Sequence, residues 1–453
     1  MIGEILKYRI TPRVVLADAV QKITVEGVDT LSKFYDESSY RVTIVGRNGT
    51  TNQFIQVDGK TRECEVSMLL VPQNGVLTIE HYFSGEQIRL ITIERENLDK
   101  DNEHILPRHR LYEKRAISFY VYTLEPDLYY KRPFKGDLHI HTCDSDGFES
   151  GPFLAAQYRK YGYDFISITN HFNYDASVET IDALKDVKTA FKVFPGEEVH
   201  HPEIKEPFHV VNFNGKNGIT KLIESDPNGV EAKIKKIAET IDCNEEDKIS
   251  LAWYKWIQDE IHKVGGIAIY PHPLWIYPGL DRYHIRQSVA QAIYENGYCD
   301  VFEMFGGVDD VNRKLHELLY FELCEKGKKY PFVASSDAHG CLHHNQFYFD
   351  QAWTIVFADT VEDIPKSILN GYTTAVDNQK TDNKTVYGSV RLAQYTYFLL
   401  GAYYEYHDVL CNAIGQAFLR YVSGDPTQNA LIEALENELI KFNTDFFGCN
   451  SKT

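Results

Sequence analysis

Paired cysteines are missing from this sequence. The eight cysteines stand at 64, 143, 243, 299, 324, 341, 411 and 449, and no two make a CxxC pair. That spacing excludes a thiolate zinc module and a dense disulfide framework, and it is the usage of a reduced compartment. Long apolar runs are absent too: none approaches the about 18 residues of a membrane-spanning helix. The opening MIGEILKYRITP lacks the basic-then-apolar order of a signal peptide, so a cytoplasmic location is expected. Basic clusters are also lacking. Lys and Arg number 47 against 65 Asp and Glu, a net charge of −18. Phosphate-backbone binding depends on clustered cations, so neither a nucleic acid nor a membrane is an expected partner. A small-molecule substrate, anionic and held by metal, remains open.

What is present is ordinary globular composition, 43% apolar and 25% charged over 453 residues, enough for two or three domains. Residues 1–130 carry short β-branched and aromatic runs (QKITVEGV, YRVTIVG, GVLTIEHYF, IRLITIER) separated by turn signals such as NGT, DGK and SGE. They are expected to form an accessory, β-sandwich-like domain. Between 134 and 378 strand and helix alternate. GDLHIHT reads as a strand, and a helix starts from Ser150 with Pro152 in its first turn. Repeated βα units imply a parallel sheet, and about seven can close into a barrel with its functional residues at the C-terminal ends of the strands. Residues 385–447 read as a tyrosine-rich helical extension. It and the β domain are the surfaces where a homo-oligomer is expected to form.

Histidine is where the chemistry concentrates. Of 17 histidines, 13 lie between 139 and 344. Position tells more than number, because they stand at the ends of apolar strands: His139 and His141, His171 after FISITN, His209 leading VVNF, His272 after IAIY. Asp337 and His339 follow PFVASS. A strand has a period of two, so Asp137, His139 and His141 share one face, as do Asp337 and His339. Asp146 stands in the loop after His141, where it can turn back toward the same site. Asp137 is expected to orient the ligands from behind. Imidazole with carboxylate and no thiolate suits Zn, Mn or Fe, and the number of donors favours two or three divalent ions. Such a cluster makes a nucleophilic hydroxide near neutral pH and clamps phosphoryl or acyl oxygens. Around it, Arg282, Arg313, His343 and His344 are candidates for holding substrate. His316, in the middle of a helix, reads as a surface residue.

DLHIHT…SDG, SITNH, PGEE, FHVV, YPHP and SSDAHG, in this order, resemble the PHP (polymerase and histidinol phosphatase) superfamily of metal-dependent hydrolases over about 134 to 378. The resemblance implies a distorted (β/α)7 barrel, with a β domain before it and helices after it, and a di- or trinuclear centre that usually hydrolyses phosphoesters. Carried over by position, it implies His139, His141, Asp146, His171, Glu198, His209, His272, Asp337 and His339 as metal ligands. Glu198 would bridge two ions, with Glu197 as the fallback, since neighbouring strand residues face opposite ways. Two departures stand out: Asn170-His171-Phe172 where Asp-His-Asp is frequent, and Glu303-Met304-Phe305-Gly306 without a following asparagine. The N-terminal β domain is similar to that of a branch with ester- and carbamate-cleaving members. The expected activity is hydrolysis of a small organic phosphate by a metal-bridging hydroxide, with Asp337 or His339 handling the proton. The alternatives are a carboxyl ester, carbamate or amide cut at the same centre, a non-catalytic metal-containing binding protein, and an amidohydrolase barrel.

Overall fold

Burial along the strand Gln87–Arg95 alternates: Gln87, Arg89, Ile91 and Ile93 are buried, and Ile88, Leu90 and Thr92 less so. That is the period of a strand with one face against a core. In this computed structural model the described residues are 7–29, 32–48, 53–57, 60–96, 116–200, 208–277, 282–342, 348–379 and 384–448. They form a mixed α/β structure with several sheets, and the chain divides into two compact units. No helix among the described residues is long and apolar enough to cross a membrane.

The first unit comprises residues 1–131, 397–407 and 438–453. Its strands are β1 Tyr8–Thr11, β2 Val14–Leu16, β3 Ala19–Gly27, β4 Tyr40–Gly46, β5 Gln53–Val57, β6 Lys60–Cys64, β7 Val66–Leu70, β8 Val76–Phe83, β9 Gln87–Arg95 and β10 Ile117–Leu124. One sheet runs β1-β3-β8 and another β2-β10-β9-β4-β7, with β5 and β6 paired as a hairpin. Ile23, Val25, Leu77 and Ile79 from the first sheet join Val42, Ile44, Ile91, Phe119 and Val121 from the second in one apolar cluster. Under it lies a polar anchor: the buried Arg89 donates from Nε to Glu65 at 2.7 Å and from Nη1 to Thr123 Oγ1 at 2.6 Å.

The second unit comprises residues 132–396 and 408–437. Its strands are β11 Arg132–Ile140, β12 Phe165–Ile168, β13 Lys192–Phe194, β14 Gly196–His200, β15 His209–Phe213, β16 Ile267–Tyr270, β17 Ile276–Tyr277, β18 Arg282–Tyr283, β19 Val301–Phe305, β20 Phe332–Ala334, β21 Ala352–Ala358, β22 Thr373–Asp377 and β23 Thr385–Tyr387. They pair as β13-β12-β11-β21-β22-β23 and β14-β15-β16-β19-β20, with β17 and β18 a separate ribbon. Leu138, Phe165 and Phe194 of the first sheet cluster with Val211, Ile269, Val301 and Val333 of the second. Two isolated parallel bridges, Ile140 with Ala338 and His171 with Glu198, link the sheets where their strands end.

The expectation of a parallel sheet holds only in places. β11, β12 and β13 are parallel, and so are β16, β19 and β20. β15 is antiparallel to both neighbours, and β21 is antiparallel to β11. Length explains the first reversal. Between His200 and His209 there is no room for a crossover helix, which needs a dozen or more residues, so the chain folds straight back. Two helix starts have local causes: Pro152 stands in the first turn of Gly151–Lys160, and Asp309 accepts from the Val311 and Asn312 amides at the head of Asp310–Glu325. The C-terminal helices are Val390–Ala402, Tyr404–Val422 and Gln428–Phe447, divided between the two units. Within the second unit, Arg159 holds Glu436 through both its oxygens at 3.1 and 2.9 Å.

Candidate metal centre

The period of β11 sets the first donors. Asp137, His139 and His141 are all fully buried and alternate with Leu138 and Ile140. Asp137 touches neither imidazole; it holds two backbone amides and the Tyr158 hydroxyl. Its Oδ1 accepts from the amides of His139 at 3.3 Å and Ser336 at 3.0 Å, and its Oδ2 from the Tyr158 hydroxyl at 3.1 Å. One carboxylate thus ties β11 to the segment after β20. The Asp337 amide donates to the His139 carbonyl at 3.0 Å and the His141 amide to the Ala338 carbonyl at 2.9 Å, completing that seam. On the other side, Asn170 and Thr142 bond reciprocally, Thr142 N to Asn170 Oδ1 and Asn170 Nδ2 to Thr142 Oγ1, both at 2.7 Å. Asn170 therefore docks the end of β12 onto the end of β11, and His171 follows it.

Two donors need unusual backbone. Asp337 has φ of +55° and His272 of +35°, in the left-handed region. Glycines make room for both turns. A Cβ at Gly307 would lie 2.6 Å from Asp337 Cβ, and one at Gly306 would lie 2.1 Å from Glu303 Oε1. Glu303 in turn accepts from the His272 amide at 2.8 Å, and the buried His316 accepts from the Leu274 amide at 3.2 Å. Strain of this kind is typical of sites whose surroundings over-determine them.

The side chains converge in three overlapping groups, in each of which the donor atoms lie within 4.8 Å of one another: His139, His141, Glu198 and Asp337; Glu198, His209 and His272; and His141, Asp146, His171 and His339. Glu198 joins the first two. Its Oε2 lies 3.0 Å from His139 Nε2 and 3.3 Å from His141 Nε2, and its Oε1 lies 2.6 Å from His209 Nδ1 and 3.3 Å from His272 Nε2. Asp337 Oδ1 stands 3.0 Å from His141 Nε2 and 3.3 Å from His139 Nε2. The third group opens to solvent, since Asp146 is about half exposed, 3.3 Å from His339 Nε2 and 3.7 Å from His171 Nε2.

The donor set fits divalent metal. His139 Nε2 and His141 Nε2 face each other at 3.1 Å beside the Glu198 and Asp337 oxygens. Protons cannot satisfy two imidazole nitrogens and two carboxylates at one point as well as a cation can, and all four are hard or borderline ligands. Electrostatics shows the same demand for positive charge. Burial pulls His139 down, but Glu198 and Asp337 push its imidazolium up to about 10. Burial works against the Glu198 carboxylate, yet His209, His139 and His171 hold it well below the usual range, and His139 and His141 do the same for Asp337. Burial pulls His171 down to about 3, and His339, beside Asp146 and Asp337, rises to about 9 against its own burial.

All nine expected ligands fall in these three groups. Glu197 does not: its carboxylate accepts from the Thr220 amide at 3.3 Å and from the Ile219 amide, at the head of the helix Thr220–Ser225. Arg313 has other employment. It is buried, donates to Asp377 Oδ1 at 2.8 Å and to the Val308 carbonyl at 3.0 Å, and lies over the Phe305 ring. Arg282 is exposed on β18, and His343 and His344 lie outside the described residues. His316 is fully buried, not on the surface, because its ring supports the turn after His272. Sequence reasoning passed over Tyr158, Ser336 and Glu303 as supports. Only Glu303 left a trace, an acid in the apolar strand VFEMF; burial pushes it up to about 7.

No family model matches the chain, and no curated protein matches it. PHP-like metal-dependent phosphoesterases are among the solved structures it resembles, at low identity and over part of its length. A two-domain protein from Bacteroides vulgatus containing a predicted PHP-like metal-dependent phosphoesterase is 17% identical, with a TM-score of 0.37 over 55% of this chain and 66% of that one. The chain thus spans just under two thirds of that protein's length. A protein described as a metal-dependent phosphoesterase from Bifidobacterium adolescentis is 16% identical, with a TM-score of 0.35 over 51% of this chain and 96% of that one. An amidohydrolase from Chromobacterium violaceum, solved with sulfate and no metal, is 13% identical, with a TM-score of 0.33 over 55% and 99%. At TM-scores this low, the likenesses add nothing to the donor geometry.

Proposed function

We propose that this protein is a metal-dependent hydrolase whose substrate is a small organic phosphate. The observation that carries the reading is Glu198, whose two oxygens face two different sets of imidazoles. A carboxylate can serve two ions at once, so Glu198 would help to hold both members of a pair of divalent cations (Zn, Mn or Fe). His139, His141 and Asp337 would hold one and His209 and His272 the other; the Asp146–His171–His339 side has donors for a third. When bound, the ions supply a water ionised near neutral pH and positive charge beside the phosphoryl oxygens.

The chain's own residues do the positioning. Asp137, Asn170 and Glu303 fix the backbones that carry the donors. His339, whose Nδ1 donates to the Asp337 carbonyl at 2.8 Å, presents Nε2 at the open edge beside Asp146. With two ions bound, Nε2 is where we place the proton given to the leaving oxygen; with three, it would help to hold the third. We read the second unit as a distorted seven-stranded barrel of β11, β12, β14, β15, β16, β19 and β20, its sheets stitched by the bridges at Ile140–Ala338 and His171–Glu198. The first unit is an accessory domain in this reading.

Metal analysis of the purified protein, followed by turnover of phosphate, carboxyl and carbamate esters, tests the proposal. Two or three ions per chain and phosphate release are expected, both lost in His139→Ala. Full activity in that variant would sink the metal centre. Cleavage of carboxyl or carbamate esters alone would keep the centre and overturn the phosphate assignment.

A further inference from the structure

Aromatic rings continue beyond the Glu198–His209–His272 donors. Phe172 stacks on His200, with centroids 4.8 Å apart and planes at 21°. His200 lies 4.6 Å from His209, and His209 lies 4.4 Å from His284. Trp275 adjoins them, 5.1 Å from His284 and 5.4 Å from His272. Two of these rings, Phe172 and Trp275, differ from core packing. Buried rings such as Phe208, Trp253 and Tyr254 are covered by an apolar cluster. Phe172 instead is 39% exposed and holds φ of +56°. Left-handed backbone is unfavourable for a bulky residue, and an exposed ring offsets little of that by burial. Trp275 is half-buried beside two donor histidines. An exposed, strained aromatic residue directly after His171 is placed for something that arrives from solvent.

We propose that this row is a binding wall for a planar aromatic group carried by the substrate, with Phe172 and Trp275 as the specificity-determining residues. The inference rests on reading the adjoining cluster as a hydrolytic metal centre. Ring faces attract other rings in offset or edge-on arrangements. His209 belongs to both the donors and the row, so a ring seated on the wall lies beside the bond to be cut.

The test is calorimetric titration of the metal-reconstituted full chain with two matched pairs, benzylphosphonate against methylphosphonate and phenylacetate against acetate. Benzylphosphonate should bind at least about threefold more tightly than methylphosphonate. That preference should fall toward one in Phe172→Leu, which keeps an apolar side chain without a ring, and in Trp275→Ala, and survive in Trp275→Phe. A preference for phenylacetate with neither phosphonate bound overturns the phosphate reading and supports the wall. No preference for the aromatic member of either pair, or one that Phe172→Leu and Trp275→Ala both retain, overturns the wall.

Discussion

The Ser336 amide donates to Asp137 Oδ1 at 3.0 Å across a sequence separation of 199 residues. This bond closes the donor cluster, because it fixes Asp337 and His339 relative to His139 and His141. Asp137→Ala would leave the buried Ser336 and His139 amides without this acceptor and the Tyr158 hydroxyl with Ser336 Oγ at 3.3 Å. A loss of about 3 kcal/mol is expected in urea unfolding, together with weaker metal loading. Asp137→Asn keeps one acceptor oxygen and should lose less.

Glu198→Gln keeps the volume and removes the charge. Outer-sphere partners of metal ligands cost 10- to 100-fold when lost, so a bridging ligand should cost at least about 100-fold in kcat. Metal stoichiometry should fall by at least one ion per chain in the same variant, measured by elemental analysis. A variant that keeps its ions and its rate would show that Glu198 bridges nothing.

Arg313→Ala separates a structural role from substrate binding. The guanidinium is buried against Asp377, and breaking such a pair leaves a charge poorly compensated, at a cost of about 2–3 kcal/mol. A lower melting temperature with KM unchanged is expected. A raised KM at unchanged stability would return Arg313 to the list of substrate contacts.

In the first unit, acid stability should depend on Glu65. Burial raises its carboxyl, but hydrogen bonds with His81 and Arg89 outweigh burial and leave the folded value below the ordinary one. A depressed folded value means stability that is full above the unfolded carboxylate value, about 4.3, and lost as pH falls through the folded value. Melts between pH 6 and 2 should therefore show a drop below about pH 4 that is smaller in Glu65→Gln. That variant should be less stable at pH 7, since the buried Arg89 guanidinium loses its carboxylate counter-charge.

Much of this site was legible because strand geometry is local. A period of two put Asp137, His139 and His141 on one face; Asp337 and His339 meet instead through a left-handed turn beyond β20, outside the strand that the same rule assumed. Polar residues at the ends of apolar strands then marked His171, His209 and His272, and the family likeness supplied Glu198. Alternation also foretold that only one of Glu197 and Glu198 could face the donors, without saying which.

The rest needed three dimensions. Glu198 is the inward one because the bridge to His171 sets the register of β14 against the end of β12, which leaves Glu197 at a helix head. Direction along the sheet was equally hidden: β15 reverses because of the short span before it, and parallel and reversed strands have the same side-chain period. From the sequence, Arg313 reads as a candidate substrate contact and His316 as a surface residue of the same helix. Their burial against Asp377 and the Leu274 amide comes from contacts distant in sequence. By itself, then, the sequence determined which residues could share a face and what metals they would suit, since both follow from backbone period and donor type. Tertiary structure decided which of them meet, because convergence depends on register, strand direction and turns such as those at His272 and Asp337 that no local pattern encodes.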